Sequence, residues 1–279
     1  MKRKLIYQML TEWRSNIWMI IELIIVTIVL QFIFTVLYAL FDLHNRNEGY
    51  NLDDVYVATT NGISKDSPDY QPYDSIHSYF TELDLILSNM NNNPYVELAA
   101  FGSNNSMPYN FNYYGTSVNL LDGDSITPSY YGNMREMSPD VIRIMRLQGL
   151  NGETTEQLAE ILERDEIIIS NIRRDMNPNA LDPQLALGKD VFMHSDSSNV
   201  RHVGAVAYGM QRSDYEPLYN GTIYSKLPAN RWGSLMIIRV KPGMGPKFVE
   251  SLTPSDLALG NIYLTNLSSI DYMREQSHV

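Results

Sequence analysis

Residues 17–41 read IWMIIELIIVTIVLQFIFTVLYALF, with Glu22 as the single charged residue. As a helix rising ~1.5 Å per residue the stretch reaches about 37 Å, enough to cross a ~30 Å hydrocarbon core with some tilt. The run is too long for the apolar part of a cleaved signal peptide, no A-x-A site follows it, and the chain has no cysteine to carry a lipoprotein anchor. The stretch predicts one uncleaved membrane-spanning helix. The chain around it divides into a cytoplasmic amphipathic segment (1–16), the span (17–41) and an extracytoplasmic domain (42–279).

The flanks set the orientation. Lys2, Arg3, Lys4 and Arg14 face only Glu12 on the N-terminal side, whereas Asp42, His44, Arg46, Glu48, Asp53 and Asp54 follow the span. Positive charge stays in the cytoplasm, so the N-terminus is expected inside a bacterial inner membrane and residues 42–279 outside. Trp13 and Trp18 at the inner end and Tyr38 near the outer end suit the interface. Leu5, Ile6, Met9, Leu10 and Trp13 recur at helical spacing, so 1–16 is expected to lie on the inner surface, with Ser15-Asn16 capping the span. Within the span, Thr27, Gln31, Thr35 and Tyr38 share one helical face. Lipid offers nothing to an amide, so this stripe is a candidate helix-packing face; the plainer reading is that the threonines bond back to their own helix.

The net charge is −11; residues 1–41 hold four basic and two acidic side chains, leaving −13 for residues 42–279. A surface that acidic excludes nucleic acid as a partner and disfavours anionic lipid. The absence of cysteine excludes disulfides, thiolate nucleophiles and cysteine metal sites.

Beyond a polar connector, Val55–Thr60 predicts a strand, Ser75–Met90 an amphipathic helix stopped at Asn91–Pro94, and Tyr95–Gly102 a strand. Near the C-terminus, Ser234–Val240, Pro246–Leu252 and Ile262–Leu267 repeat strand, helix, strand. Two β-α-β units around a long insert predict an α+β fold of ferredoxin-like split layout with a large mixed α/β insert. Within the insert, strands are expected over Tyr109–Leu121, Glu166–Ser170, Ala186–Met193, Val200–Tyr208 and Gly221–Tyr224. Helices are expected over Ser138–Met145 and Thr154–Arg164, the latter opened by a Thr154/Gln157 capping box.

Chemistry-bearing motifs are sparse. The histidines (His44, His77, His194, His202, His278) form no H-E-x-x-H pattern, although His194 and His202 sit on neighbouring expected strands. Asp53-Asp54 and Asp122/Asp124 lack the spacing of a calcium loop and read as solvated turns. Lys241–Lys247 (KPGMGPK) and Gly188-Lys189 lack the G-K-[ST] ending of a phosphate loop. No catalytic, cofactor or metal residue is implied, and no enzyme activity.

Five segments, in order, carry a resemblance. Met137–Gly152 resembles the stretch in MacB-type ABC permeases where a Ser-Pro start leads to a Gly-Arg turn, with Asp140-Val141-Ile142 in place of an aromatic pair and Asn151-Gly152 in place of Gly-Arg. Ile167–Asn171, Leu187-Gly188-Lys189, Val200–Ala207 (VRHVGAVA) and Ile237–Gly243 (IIRVKPG) resemble the family's next strands and turns. Met1–Leu40 is similar to its first spanning helix. The resemblance implies a membrane-proximal subdomain (53–102 plus 233–268) and a distal inserted one (103–232). It also implies a separate cytoplasmic ABC ATPase subunit, and other permease helices or a homodimer partner. A periplasmic adaptor or outer-membrane channel is a further partner class. Members continue into three more spanning helices, the FtsX-like core, so a chain ending at Val279 is expected to be part of a longer permease or a split half. The alternative is a stand-alone anchored binding or sensor module.

If the polar stripe packs against a helix, replacing Thr27, Gln31 and Thr35 by Leu leaves membrane insertion intact and weakens assembly. Chemical cross-linking in native membranes reads this out; unchanged assembly would leave the helix as an anchor.

Overall fold

A computed structural model describes residues 13–44, 47–74, 78–109, 114–122, 125–171, 180–193, 196–210, 221–228 and 235–276. The chain falls into two units, Met1–Asn47 and Glu48–Val279, which are described separately.

Among the described residues of the first unit the helix α1 (Trp13–His44) is continuous through the apolar run, and the side chains of Ile17–Phe41 are exposed along its whole length. Ser15 and Asn16 lie inside this helix, not at its start. Both therefore lack the position just outside a helix start that a cap residue takes. Lys2, Arg3 and Lys4, with the rest of 1–12, and the Arg14 side chain lie outside what is described.

The second unit begins with β1 (Val55–Gly62), α2 (Tyr79–Asn91) and β2 (Val96–Gly102). Helix α2 starts at Tyr79 because Ser78 takes the cap, accepting from Thr81 N at 3.2 Å; Ser75–His77 of the expected helix lie outside the described residues. The insert follows: β3 (Tyr114–Asp122), β4 (Ser125–Met137), α3 (Pro139–Met145), α4 (Thr155–Glu163), β5 (Ile167–Ser170), α5 (Pro183–Ala186), β6 (Asp190–Met193), β7 (Asp196–Ala207) and β8 (Gly221–Lys226). The chain closes with β9 (Leu235–Val240), α6 (Gly245–Ser251), α7 (Pro254–Leu257), β10 (Ala258–Leu259), β11 (Ile262–Ser269) and α8 (Ile270–Gln276).

One end of the sheet runs β10-β11-β1-β9-β2. Strand β9 is antiparallel to both β1 and β2, so those two run parallel with β9 between them. Its sequence LMIIRV is continuous rather than alternating because every residue of it is buried, as expected for a strand covered on both faces. Met236, Ile238 and Val240 meet α2 and Phe248 of α6, whose ring stands edge-on to Tyr56 at 5.4 Å. Leu235 and Ile237, with Val55 and Val57, point to the opposite face and pack on α3 and α4.

The other end closes on itself. Its order is β4-β3-β6-β7-β5-β8, and β8 pairs back onto β4 from Gly132↔Gly221 to Met137↔Lys226. The result is a six-stranded barrel, joined to the first part of the sheet by the single pair Gly102↔Met137. Alternation sorts the side chains. Ile167, Ile169, Val203 and Ile223 fill the barrel, while Ile168, Ala205 and Tyr224 face out onto the same α3–α4 layer that covers the first sheet. Helices α3 and α4 are therefore the filling between sheet and barrel. They are clamped to each other by Arg143, which reaches Asp140 (2.8 Å), Glu156 (2.9 Å) and Glu163 (3.0 Å). The Thr154/Gln157 capping box forms.

Three local expectations need correction. Ala186–Met193 is a strand only from Asp190: Asp182 accepts from Gln184 N to start the short α5, and Gly188 turns the chain with φ +72°. Tyr109 is not in a strand; it sits in a turn at φ +60°, and β3 begins at Tyr114, with 110–113 outside the described residues. Strand β4 was not expected at all. Its outward face carries Asn133 and Arg135, and its inward face Gly132 and Glu136, so neither face reads as apolar. Arg135 is nonetheless fully buried, donating to Asn105 O (2.7 Å) and Met107 O (3.1 Å) of the segment before the barrel.

Tyr130 locks the closed end of the barrel. Its hydroxyl contacts Ser170 O at 3.0 Å and Thr222 O at 3.1 Å and accepts from Ser170 N, and burial pushes its pKa up. Tyr130→Phe strands these groups and is expected to cost about 1–3 kcal/mol. A urea titration in detergent with near-ultraviolet circular dichroism measures it.

Candidate functional site

A connected polar cluster in the second unit is built on its first residues, 48–54. Residues 48–54 cross the C-terminal end of α3 and reach β9 before β1 begins. Gly49 is buried at φ +70°, and a Cβ there would overlap the Tyr208 ring. Gln148 N donates to Gly49 O and Asn51 N donates to Met145 O, both at 2.8 Å. Tyr50 and Leu52 pack against the core that α3 and α4 share with both halves of the sheet.

Arg239 of β9 holds this crossing together. It is 3% exposed. Its Nε donates to Ile144 O at the end of α3, one Nη to Asp53 O at 2.8 Å, and the other to Asn51 O. One guanidinium thus ties the central strand, the last turn of a helix and the connector. Burial pulls its pKa below the ordinary arginine value, and neighbouring Arg146 adds to the effect. Asp54, at φ +58°, accepts from Gly243 N at 3.2 Å, so the turn that looked like a phosphate loop spends that amide on the connector.

The other end of the unit meets the same place. Arg274 of α8 donates to Glu48 Oε1 at 3.1 Å and lies 5.3 Å from the centroid of the buried Tyr109 ring, whose hydroxyl stands 3.5 Å from the same carboxylate. Met273 packs onto the shared core. The first and last parts of the domain are therefore bonded to each other.

The sequence-predicted residues sit elsewhere. Thr27, Gln31, Thr35 and Tyr38, with Leu30 and Phe34, line one shallow face of α1. Thr27 donates to Leu23 O at 2.7 Å and Thr35 to Gln31 O at 2.8 Å, so both hydroxyls are satisfied within their own helix. Trp13 and Trp18 are exposed on the same helix. His202 contacts Asp190 Oδ1 at 2.9 Å, while its expected neighbour His194 lies outside the described residues, as do His77, His278 and Asp124. Among the described residues no three His, Asp or Glu side chains converge on a metal-sized point. Glu48, Asn51 and Arg274 were missed. The signal for the cluster was Arg239 itself, a cation inside an otherwise apolar strand.

Arg239→Ala removes the donor to several buried carbonyls and is expected to cost about 2–4 kcal/mol, and Arg239→Lys to recover only part of it because a point charge cannot replace the fork. Urea titrations of the three proteins decide this; equal stability of Lys and Arg would show that charge alone matters.

No family model and no curated protein matches the chain. Among solved structures it is similar to the extracellular domain of the noncanonic ABC-type transporter YknZ from Gram-positive bacteria, at 10% identity over 75% of this chain and 100% of that one, TM-score 0.42. It is similar to the periplasmic region of MacB from Actinobacillus actinomycetemcomitans, at 12% over 85% and 99%, TM-score 0.40. A permease-protein domain from Porphyromonas gingivalis gives 15% over 78% and 90%, TM-score 0.43. These likenesses are loose and carry no residue role across. The chain has one N-terminal apolar helix and a mixed α/β domain similar to the extracytoplasmic domains of ABC-type transporters.

Proposed function

We propose that the chain is a permease-type subunit, or the N-terminal part of one, in an ABC transporter of a bacterial inner membrane. In this reading α1 transmits motion from a cytoplasmic ATPase to the extracytoplasmic domain, for export, extraction or envelope signalling. The observation that carries it is the junction. Glu48–Asp54, which follow α1 in the chain, and α8, the last described helix, are bonded to one another and to β9 through Arg274 and Arg239. A pull on either end is delivered to the same strand. The ordered motifs from Met137 to Gly243 support the family, and the charge asymmetry around the span supports an internal N-terminus.

We read residues 53–102 with 233–268 as the membrane-proximal subdomain. Strand order β11-β1-β9-β2 supports a ferredoxin-like split layout there. Residues 103–232, which include the barrel, form the distal subdomain. Energy comes from a nucleotide-dependent difference in how the ATPase contacts the permease helices. The second reading, an anchored binding module without a motor, is favoured by a cleft in the barrel.

Purification of the full chain from native membranes in mild detergent separates the two. The permease reading expects a Walker-motif ATPase and polytopic helical protein in fixed ratio by mass spectrometry; a chain that purifies alone overturns it. Within such a complex, Glu48→Arg or Arg274→Glu alone is expected to lower transport-linked ATP turnover while the ATPase still co-purifies. The double swap restores it.

A further inference from the structure

One mouth of the barrel is not filled. It forms a cleft of about 320 Å³ to which all six strands contribute. Tyr114 comes from β3, Met134 and Glu136 from β4, Ile167 from β5, Met193 from β6, Arg201 from β7 and Ser225 from β8. Each of these continues the inward-facing series of its strand: Val118 and Thr116 lead to Tyr114, Tyr130 and Met134 to Glu136, Val203 to Arg201, Ile223 to Ser225. Deeper in the barrel these series are apolar and closed. Between the two layers Thr116, 1% exposed, has a buried hydroxyl with no hydrogen-bond partner among the described residues.

The cleft is two-sided. Tyr114 and Met193 make an apolar wall on β3 and β6, and Met134 and Ile167 make the floor. Facing them, the β4-β8-β5-β7 wall carries Glu136, Asp165 and Arg201, with Ser225 and Asn199 between as neutral hydrogen-bonding groups. Asp165 accepts from Arg201, which fixes that cation on the wall, while Lys226 turns outward and donates from its Nζ to Glu163 O at 2.9 Å. A barrel end that merely met solvent would not need the apolar floor and wall. A site for a simple anion or cation would not present both signs on one wall.

We propose that this mouth binds a small zwitterionic amphipath, an apolar dipeptide being the simplest member of the class. Its side chains lie on Tyr114, Met193 and the floor, where the thioethers adapt to shape. Its ammonium and carboxylate meet the acidic and basic groups of the opposite wall. The site belongs to the extracytoplasmic domain alone and stands whether or not an ATPase partners the chain.

The test is calorimetric titration of the full chain in nanodiscs, with empty nanodiscs subtracted, against leucyl-phenylalanine. Saturable binding is expected. Diglycine, which lacks the apolar groups, and the N-acetyl, C-amide form of the dipeptide, which lacks both charges, are each expected to bind at least about tenfold more weakly. Asn199→Trp, which fills the cleft, is expected to abolish binding with the circular dichroism unchanged. Should that variant fail to fold, Arg201→Gln serves, with a loss of about tenfold expected for the charged dipeptide alone. The proposal is overturned by no saturable heat up to about 10 mM. It is equally overturned by equal affinity for the capped dipeptide, or by unchanged binding in the folded cleft variants.

Discussion

A guanidinium taken out of water has to be surrounded by acceptors, and Arg239 draws its acceptors from parts of the chain that have no other reason to meet. Ile144 belongs to the insert, Asn51 and Asp53 to the connector, and Arg239 itself to the last third of the sequence. Each of these carbonyls is a group that the connector or a helix end would otherwise leave unsatisfied. The cost of burying the charge is offset only while all three segments are in place. The arrangement is therefore cooperative: loosening the connector, the end of α3 or β9 exposes or strands the same charge.

The layer of α3 and α4 has a related role on a larger scale. It is buried on both sides, by strands β1, β9 and β2 of the first sheet and by the outside of the barrel. Among the described residues one strand pair, Gly102↔Met137, joins the two halves of the sheet. Side-chain packing thus carries the union of the two parts, and Arg143 with its three carboxylates keeps the two helices of that layer in register.

Legibility followed from whether local chemistry matched local structure. The capping box at Thr154, the Pro-started helices α3 and α6 and the amphipathic α2 were readable because each is specified within a few residues. Apolar runs such as IIIS and LMIIRV were readable as strands, yet not as strands buried on both faces, since that depends on what covers them. Strand β4 was unreadable because its two special duties, an inward Glu136 at an open mouth and a buried Arg135, break alternation on both faces. Barrel closure was also invisible, because a parallel pairing of β4 with β8 joins residues about ninety positions apart. Of the junction, only Arg239 left a mark in the sequence; Glu48 and Arg274 are ordinary surface charges until the ends of the domain are brought together.

The position of β9 between β1 and β2 has a consequence for how the domain comes into being. The two strands that flank it are made early and lie parallel, one strand-width too far apart to bond to each other. All six strands of the barrel precede β9 in the chain and pair only among themselves, apart from the single link to β2. Chain order therefore allows the barrel to close while the first sheet still has a gap at its centre. That gap fills only when residues 235–240 appear, and β11 then completes pairs spanning 206 positions, such as Thr59 with Thr265. Such distant closures are the slow ones in folding. The two ends of this domain are thus joined last, after the part furthest from them in the chain has already taken shape.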